Sequence, residues 1–420
     1  MSLFDVIAVL LTLAAIFGYL NSRFLKLESS VGLLVISLVS SLGVMLLSAL
    51  APDLELVTII RGYVGNLDLN EALMHGMLGF LLFAGALHAD LDYFVQKRWT
   101  ISLLATVGLL ISTVLVAVMS KLVFGLLGLQ ASWLACLVFG ALISPTDPIA
   151  VMGTLKTLHA PPSLEAKIAG ESLFNDGVAV VVFTGLVALL QTRIGQAGAG
   201  HGGSMGPADL AWFFLREAGG GALLGLAAGW LAYRMMLTID DYKVEVLVTL
   251  ALVMGSYSLA WALHISGPIA VVTAGLLIGN RGRAFAMSDE VADYLEKFWE
   301  LLDEMLNAVL FLLIGVEVLV MAFHRASALA GLISIFVVLL ARLISVSIPI
   351  TLLRWRTEFS QGVVRILTWA GLRGGISVAL ALSLPPIAEK PLLLTCTYMV
   401  VLFSILVQGM TIKKVLRRYI

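Results

Sequence analysis

Charge is scarce in this sequence. Asp, Glu, Lys and Arg make up 13% of its 420 residues, against about 25% in an ordinary soluble domain. Cysteine is scarcer still. Cys136 and Cys396 both sit inside apolar runs, which excludes a disulfide framework and a CxxC metal site. Neither sign of charge dominates, and the formal net charge of −1 predicts no nucleic acid or other polyanionic partner. What the chain has instead is apolar side chains, 60% of all residues, with a mean hydropathy of +1.02. A soluble fold of this length has no interior large enough to hide them. A soluble enzyme, a nucleic-acid binder and a single-pass receptor are therefore excluded.

At about 20 residues per membrane helix, the apolar runs number thirteen, from 3–20 to 391–412. The fold class expected is an all-α polytopic membrane protein. The runs that break the membrane rule most plainly are the fifth (131–155), sixth (165–190), eleventh (327–353) and twelfth (361–384). The first run contains Asp5 and no basic residue before Arg23, the reverse of the charged start of a cleavable signal. Of the 26 Lys and Arg residues, seventeen fall in one set of connections and five in the other. The positive-inside rule then puts the N-terminus outside and the C-terminus in the cytoplasm. A Gly-rich connector is expected over 195–206 and an interfacial helix over 281–302. The six histidines are scattered without metal-ligand spacing.

A charge at the bilayer centre costs at least roughly 2.5–3.5 kcal/mol, so a surviving one marks function by default. The fifth run contains Ser144-Pro145-Thr146-Asp147-Pro148. Two prolines three residues apart remove two amide donors and disfavour helix before them, so the span is expected to break around Thr146 and Asp147. Unwound backbone at that depth is tolerated only where it is buried in protein or lines a cavity. The sixth run contains Glu171-Ser172-Leu173-Phe174-Asn175-Asp176. At 100° per residue, Ser172 and Asp176 share one face and Glu171 and Asn175 the next, making a wedge of oxygen-bearing side chains suited to a hard cation. The twelfth run contains Gly371-Leu372-Arg373-Gly374-Gly375, an arginine that keeps its proton among residues that weaken helix. Arg342, in the eleventh run, needs a buried partner, and Glu171 is the preferred one.

If the seventh run (210–233) is a linker, the first six and last six form two sets offset by seven. An odd offset reverses the orientation of equivalent helices, the signature of inverted repeats. The organisation expected is a first six-helix repeat over 1–190, a connector and linker span over 191–243, and a second six-helix repeat over 244–420. Spans five and twelve then correspond, as crossed discontinuous helices. Such interrupted helices at matching positions point to a transport site.

SPTDP, ESLFND and GLRGG, in this order and on these runs, resemble the motifs of the monovalent cation/proton antiporters, the sodium/proton exchangers of the bacterial NhaP and animal NHE type. The likeness spans nearly the whole chain. It implies a homodimer, in the plasma (inner) membrane, that exchanges sodium or lithium for protons, with no cofactor and no enzymatic activity. Carried onto this sequence, it makes Asp176 the cation- and proton-binding carboxylate, with Thr146, Ser172 and Glu171 completing the sodium site. Asn175, Asp147, Arg373 and Arg342 organise that site. Asn rather than Asp at 175 resembles the electroneutral members, with one proton per cation. Without the long cytoplasmic tail of the animal exchangers, the chain is expected to be of bacterial or archaeal type. A potassium/proton antiporter on the same scaffold is the nearest alternative, and a cation channel a more distant one.

Overall fold

In the computed structural model the described residues are 3–50, 76–193, 207–319, 324–355, 359 and 362–419. Arg61, Arg356, His75, His201 and the Gly-rich connector expected over 195–206 lie outside them. Among the described residues the secondary structure is helical apart from one isolated antiparallel bridge. In chain order the helices are α1 (Leu3–Leu20), α2 (Ser29–Leu50), α3 (Leu78–Leu87) and α4 (Leu91–Gln96). Next come α5 (Arg98–Leu126), α6 (Trp133–Ile143), α7 (Ile149–Thr157) and α8 (Pro162–Arg193). They are followed by α9 (Pro207–Met236), α10 (Tyr242–Leu263), α11 (Gly267–Leu277) and α12 (Asp289–Glu317). The last are α13 (Arg325–Leu353), α14 (Val363–Ala370), α15 (Gly375–Leu382) and α16 (Lys390–Tyr419). Each of the thirteen apolar runs carries helix. Seven helices among the described residues are long and apolar enough to cross a membrane on their own, and α3 and α6 are shorter apolar helices.

Local chemistry sets several helix starts. Ser132, Ser266 and Ser288 each accept a backbone N–H three residues on, and Asp241 caps α10 through Lys243 N. These contacts satisfy amides that a helix's first turn leaves without partners. One expectation needs correction. The interfacial helix over 281–302 is not separate from the span that follows, because α12 runs unbroken from Asp289 to Glu317. No proline and no glycine before Gly315 interrupts it. Its buried Val291, Leu295 and Trp299 recur every four residues, and Trp299 packs against Phe80 and Phe83 of α3. The core-facing stripe therefore starts well inside the charged stretch.

Packing divides the helices into two groups. In one, α5 lies against α6 and α13, α6 against α8 and α15, and α16 against α13 and α15. In the other, α11 is packed by α3, α9 and α10, and α12 by α1, α2 and α10. One close approach in the second group is between α9 and α11. Gly221, Gly225 and Gly229 of α9 face Ser266, Ala270 and Ala274 of α11, and a Cβ on Gly225 would run into the Ala270 carbonyl. Small residues at such spacing let helix backbones meet where lipid gives no hydrophobic drive for association. Gly225→Leu is therefore expected to separate α9 from α11 at a cost of about 1–3 kcal/mol. A lower melting midpoint in detergent is the readout, and an unchanged midpoint would contradict this packing.

Candidate ion-binding site

The two broken spans meet. α6 ends at Ile143, and helix resumes at Ile149 as α7; α14 ends at Ala370, and helix resumes at Gly375 as α15. Ser144, though it precedes a proline, keeps helical dihedrals as the C-cap (φ −80°, ψ −28°). The break therefore starts at Pro145, whose missing N–H ends the ladder. The two non-helical stretches run antiparallel, and Asp147 N–H donates to Leu372 O at 2.8 Å. Gly374 is required at this crossing, since a Cβ there would overlap the Asp147 carboxylate.

The carbonyls freed by the breaks are taken up by the two buried arginines. Arg373 Nη1 donates to Ser144 O and to Pro145 O, the latter at 2.8 Å. Its positive charge thus caps the negative end of the half-helix α6. Arg342 Nη2 donates to Leu367 O of α14 at 3.1 Å, and Arg342 Nη1 forms an ion pair with Glu171. That pair is sealed from solvent, with Glu171 1% and Arg342 7% exposed.

α8 brings the remaining polar groups to the same place. Asn175 Nδ2 donates to Thr146 Oγ1 (2.8 Å), while Asn175 Oδ1 accepts from Thr146 N–H (3.3 Å). Ser172 Oγ lies 3.0 Å from Thr146 Oγ1. Asp176 is 6% exposed, and its Oδ1 has no hydrogen-bond partner among the described residues. The charged groups close enough to act on it are Asp147 and Arg373. An acceptor oxygen left open in the interior is costly unless something fills it. The arrangement offers one carboxylate beside the neutral hydroxyls of Ser172 and Thr146, a donor set suited to a hard monovalent cation or a proton.

All eight residues singled out in the sequence are brought to this crossing or to the ion pair behind it. Two others had not been singled out. Ser404 Oγ accepts from Arg373 N–H (2.8 Å), and Gln408 Nε2 donates to Trp369 O (3.2 Å). Both are buried on α16, where the helix is π-wound over Ser404–Gly409. The signal for them was a serine and a glutamine four apart in an otherwise apolar run.

The family described as "Sodium/hydrogen exchanger, transmembrane" matches residues 9–418. The Na(+)/H(+) antiporter NhaP of Pseudomonas aeruginosa is 47% identical over 421 residues, covering 99% of this chain and 96% of that protein. The Na(+)/H(+) antiporter NhaH of Halobacillus dabanensis is 33% identical, covering 94% of this chain and 93% of its own length. Among solved structures, that of the sodium proton antiporter MjNhaP1 from Methanocaldococcus jannaschii at pH 8 superposes with a TM-score of 0.73. The match covers 99% of this chain and 98% of that one at 18% identity, a likeness of fold.

The ion pair yields a stability test. Glu171→Gln leaves Arg342 buried and unpaired, a change that typically costs about 3–5 kcal/mol. Replacing both partners by Glu171→Gln with Arg342→Met is expected to recover most of the loss, because neither charge then remains uncompensated. Melting midpoints of the two single variants and the double variant check this. A double variant no more stable than Glu171→Gln would contradict it.

Proposed function

The chain belongs to the sodium/hydrogen exchanger family, and we propose that it exchanges Na+ or Li+ for H+ across the plasma membrane by competition of the two ions for Asp176. The observation that carries this reading is the open Oδ1 of a buried carboxylate at the point where two interrupted helices cross. One acidic side chain serves two substrates only if they exclude each other. With a proton, Asp176 is neutral and holds no metal ion. Without one, it binds the cation together with the hydroxyls of Thr146 and Ser172, while Glu171 supports the site through Arg342.

Both loaded forms of the carboxylate are neutral. The empty form is charged, and moving a bare charge through the bilayer centre costs at least roughly 2.5–3.5 kcal/mol. That penalty disfavours uncoupled leak. Asn175, spent on holding Thr146, adds no second titrating acid, which supports electroneutral exchange of one proton per cation. The two crossed breaks support the inverted-repeat organisation over 1–190 and 244–420, joined by the linker over 191–243. Alternating access then arises by rocking one helix group against the other. The protein works as a homodimer with its N-terminus outside and its C-terminus in the cytoplasm, and it uses no cofactor.

Asp176→Asn is expected to abolish sodium-dependent proton flux in proteoliposomes, with the melting midpoint and elution volume of the folded protein retained. Substantial flux from that variant would sink the competition at Asp176. Running lithium, sodium and potassium in turn identifies the cargo, and flux driven as well by potassium as by sodium would favour the potassium/proton reading. A further expectation concerns voltage. The exchange rate stays unchanged under an imposed membrane potential, whereas potential-driven exchange would overturn the one-to-one stoichiometry.

A further inference from the structure

We propose that Ser404 and Gln408 are positioning residues that set the balance between cation and proton at Asp176, acting through the backbone of Arg373 and the stretch 144–147. The inference rests on the antiport reading above. Its physical basis is a chain of hydrogen bonds spanning the break in the twelfth span. Arg373 N–H, within the break, donates to Ser404 Oγ at 2.8 Å. Ser404 Oγ in turn donates to Gln408 Oε1 at 2.8 Å, and Gln408 Nε2 donates to Trp369 O, in the last turn of α14, at 3.2 Å. Trp369 Nε1 closes the ladder by donating to Thr411 Oγ1 at 2.9 Å. The serine gives its one proton to the glutamine and uses a lone pair for Arg373, and the Trp369 carbonyl, an acceptor only, fixes which end of the Gln408 amide faces it. The π-winding of Ser404–Gly409 places both side chains on the break, and such local π turns recur at functional sites.

What this ladder holds is the part of the crossing that holds Thr146. Leu372 O accepts from Asp147 N–H, and the Arg373 guanidinium takes the carbonyls of Ser144 and Pro145. Those bonds fix the residues on both sides of Thr146, whose hydroxyl lies between Ser172 and Asn175. A metal ion needs several oxygens held at set distances, whereas a proton needs only one. Loosening the ladder therefore weakens cation binding more than proton binding, and the proton competes better at every pH.

The test compares Ser404→Ala and Gln408→Met with the conservative Ser404→Thr, in proteoliposomes over a series of pH values and sodium concentrations. Loss of one such hydrogen bond is expected to raise the apparent KM for sodium about fivefold. The pH of half-maximal exchange moves alkaline at fixed sodium, the maximal rate changes by less than about twofold, and Ser404→Thr restores the normal profile. An unchanged KM and pH profile, with activity falling only in step with the melting midpoint, would overturn the proposal, since a purely structural clamp behaves that way. Should Gln408→Met fail to fold, the Ser404→Ala and Ser404→Thr pair decides alone. Wild-type exchange and loss of flux in Asp176→Asn serve as controls. If they hold while the Ser404 and Gln408 variants leave the profile unmoved, this inference fails by itself; if they do not, the antiport reading fails first.

Discussion

The amide of Asp147 donates to the carbonyl of Leu372, and that contact joins two helices that are each broken among buried residues. Backbone in such a place has no water to turn to, and an unmet amide or carbonyl there costs several kcal/mol. Each break supplies part of what the other lacks. Arg373, anchored on one broken span, caps the carbonyls of the other, and Asn175 takes both the amide and the hydroxyl of Thr146. The breaks free polar groups that a continuous helix would have consumed, and among those groups lies Asp176, whose Oδ1 is open among the described residues.

Charge follows the same economy. Arg342 and Arg373 are buried beside Glu171, Asp147 and Asp176, so acids and arginines lie together at the crossing. The Glu171–Arg342 pair lies behind the crossing, and its second guanidinium nitrogen holds the C-terminal end of α14. Arginine suits this position because its planar fork serves a carboxylate and a carbonyl at once and because it stays charged. A lysine there would supply the charge but not the second directed contact.

Much of this was legible in the sequence because the informative residues break a local rule. Prolines flanking an acid, glycines around an arginine and an Asn-Asp pair inside an apolar run are each costly in a membrane helix, and each lies at the crossing. Arg342 demanded a partner, and Glu171 is that partner. What could not be read depends on distance in three dimensions. Ser404 and Gln408 leave only a weak mark in their own helix, since a serine and a glutamine are cheap to bury once paired, and their bonds appear only when Arg373 and Trp369 are brought alongside. Ser144 keeps its helical conformation despite the proline after it. The continuity of α12 was obscured by composition. Its charged half looked interfacial, although Val291, Leu295 and Trp299 already carry the buried stripe.

The residues of the crossing share a further property. Thr146, Ser172, Asn175 and Asp176 lie on or between α6 and α8, the two arginines on or beside α13 to α15, and Ser404 and Gln408 on α16. All of these elements belong to the one packing group in which α6 meets α8 and α15 and α16 meets α13. The hydrogen bonds that assemble the site are therefore internal to that group. Displacing the group against the helices around α11 and α12 would change which side of the site is reachable, and it would not sever the Asp147–Leu372 bond or the Glu171–Arg342 pair. A site assembled from both groups would have to break buried polar contacts with every cycle, at about 1–3 kcal/mol for each group left unmet. Keeping those contacts within one group would remove that barrier.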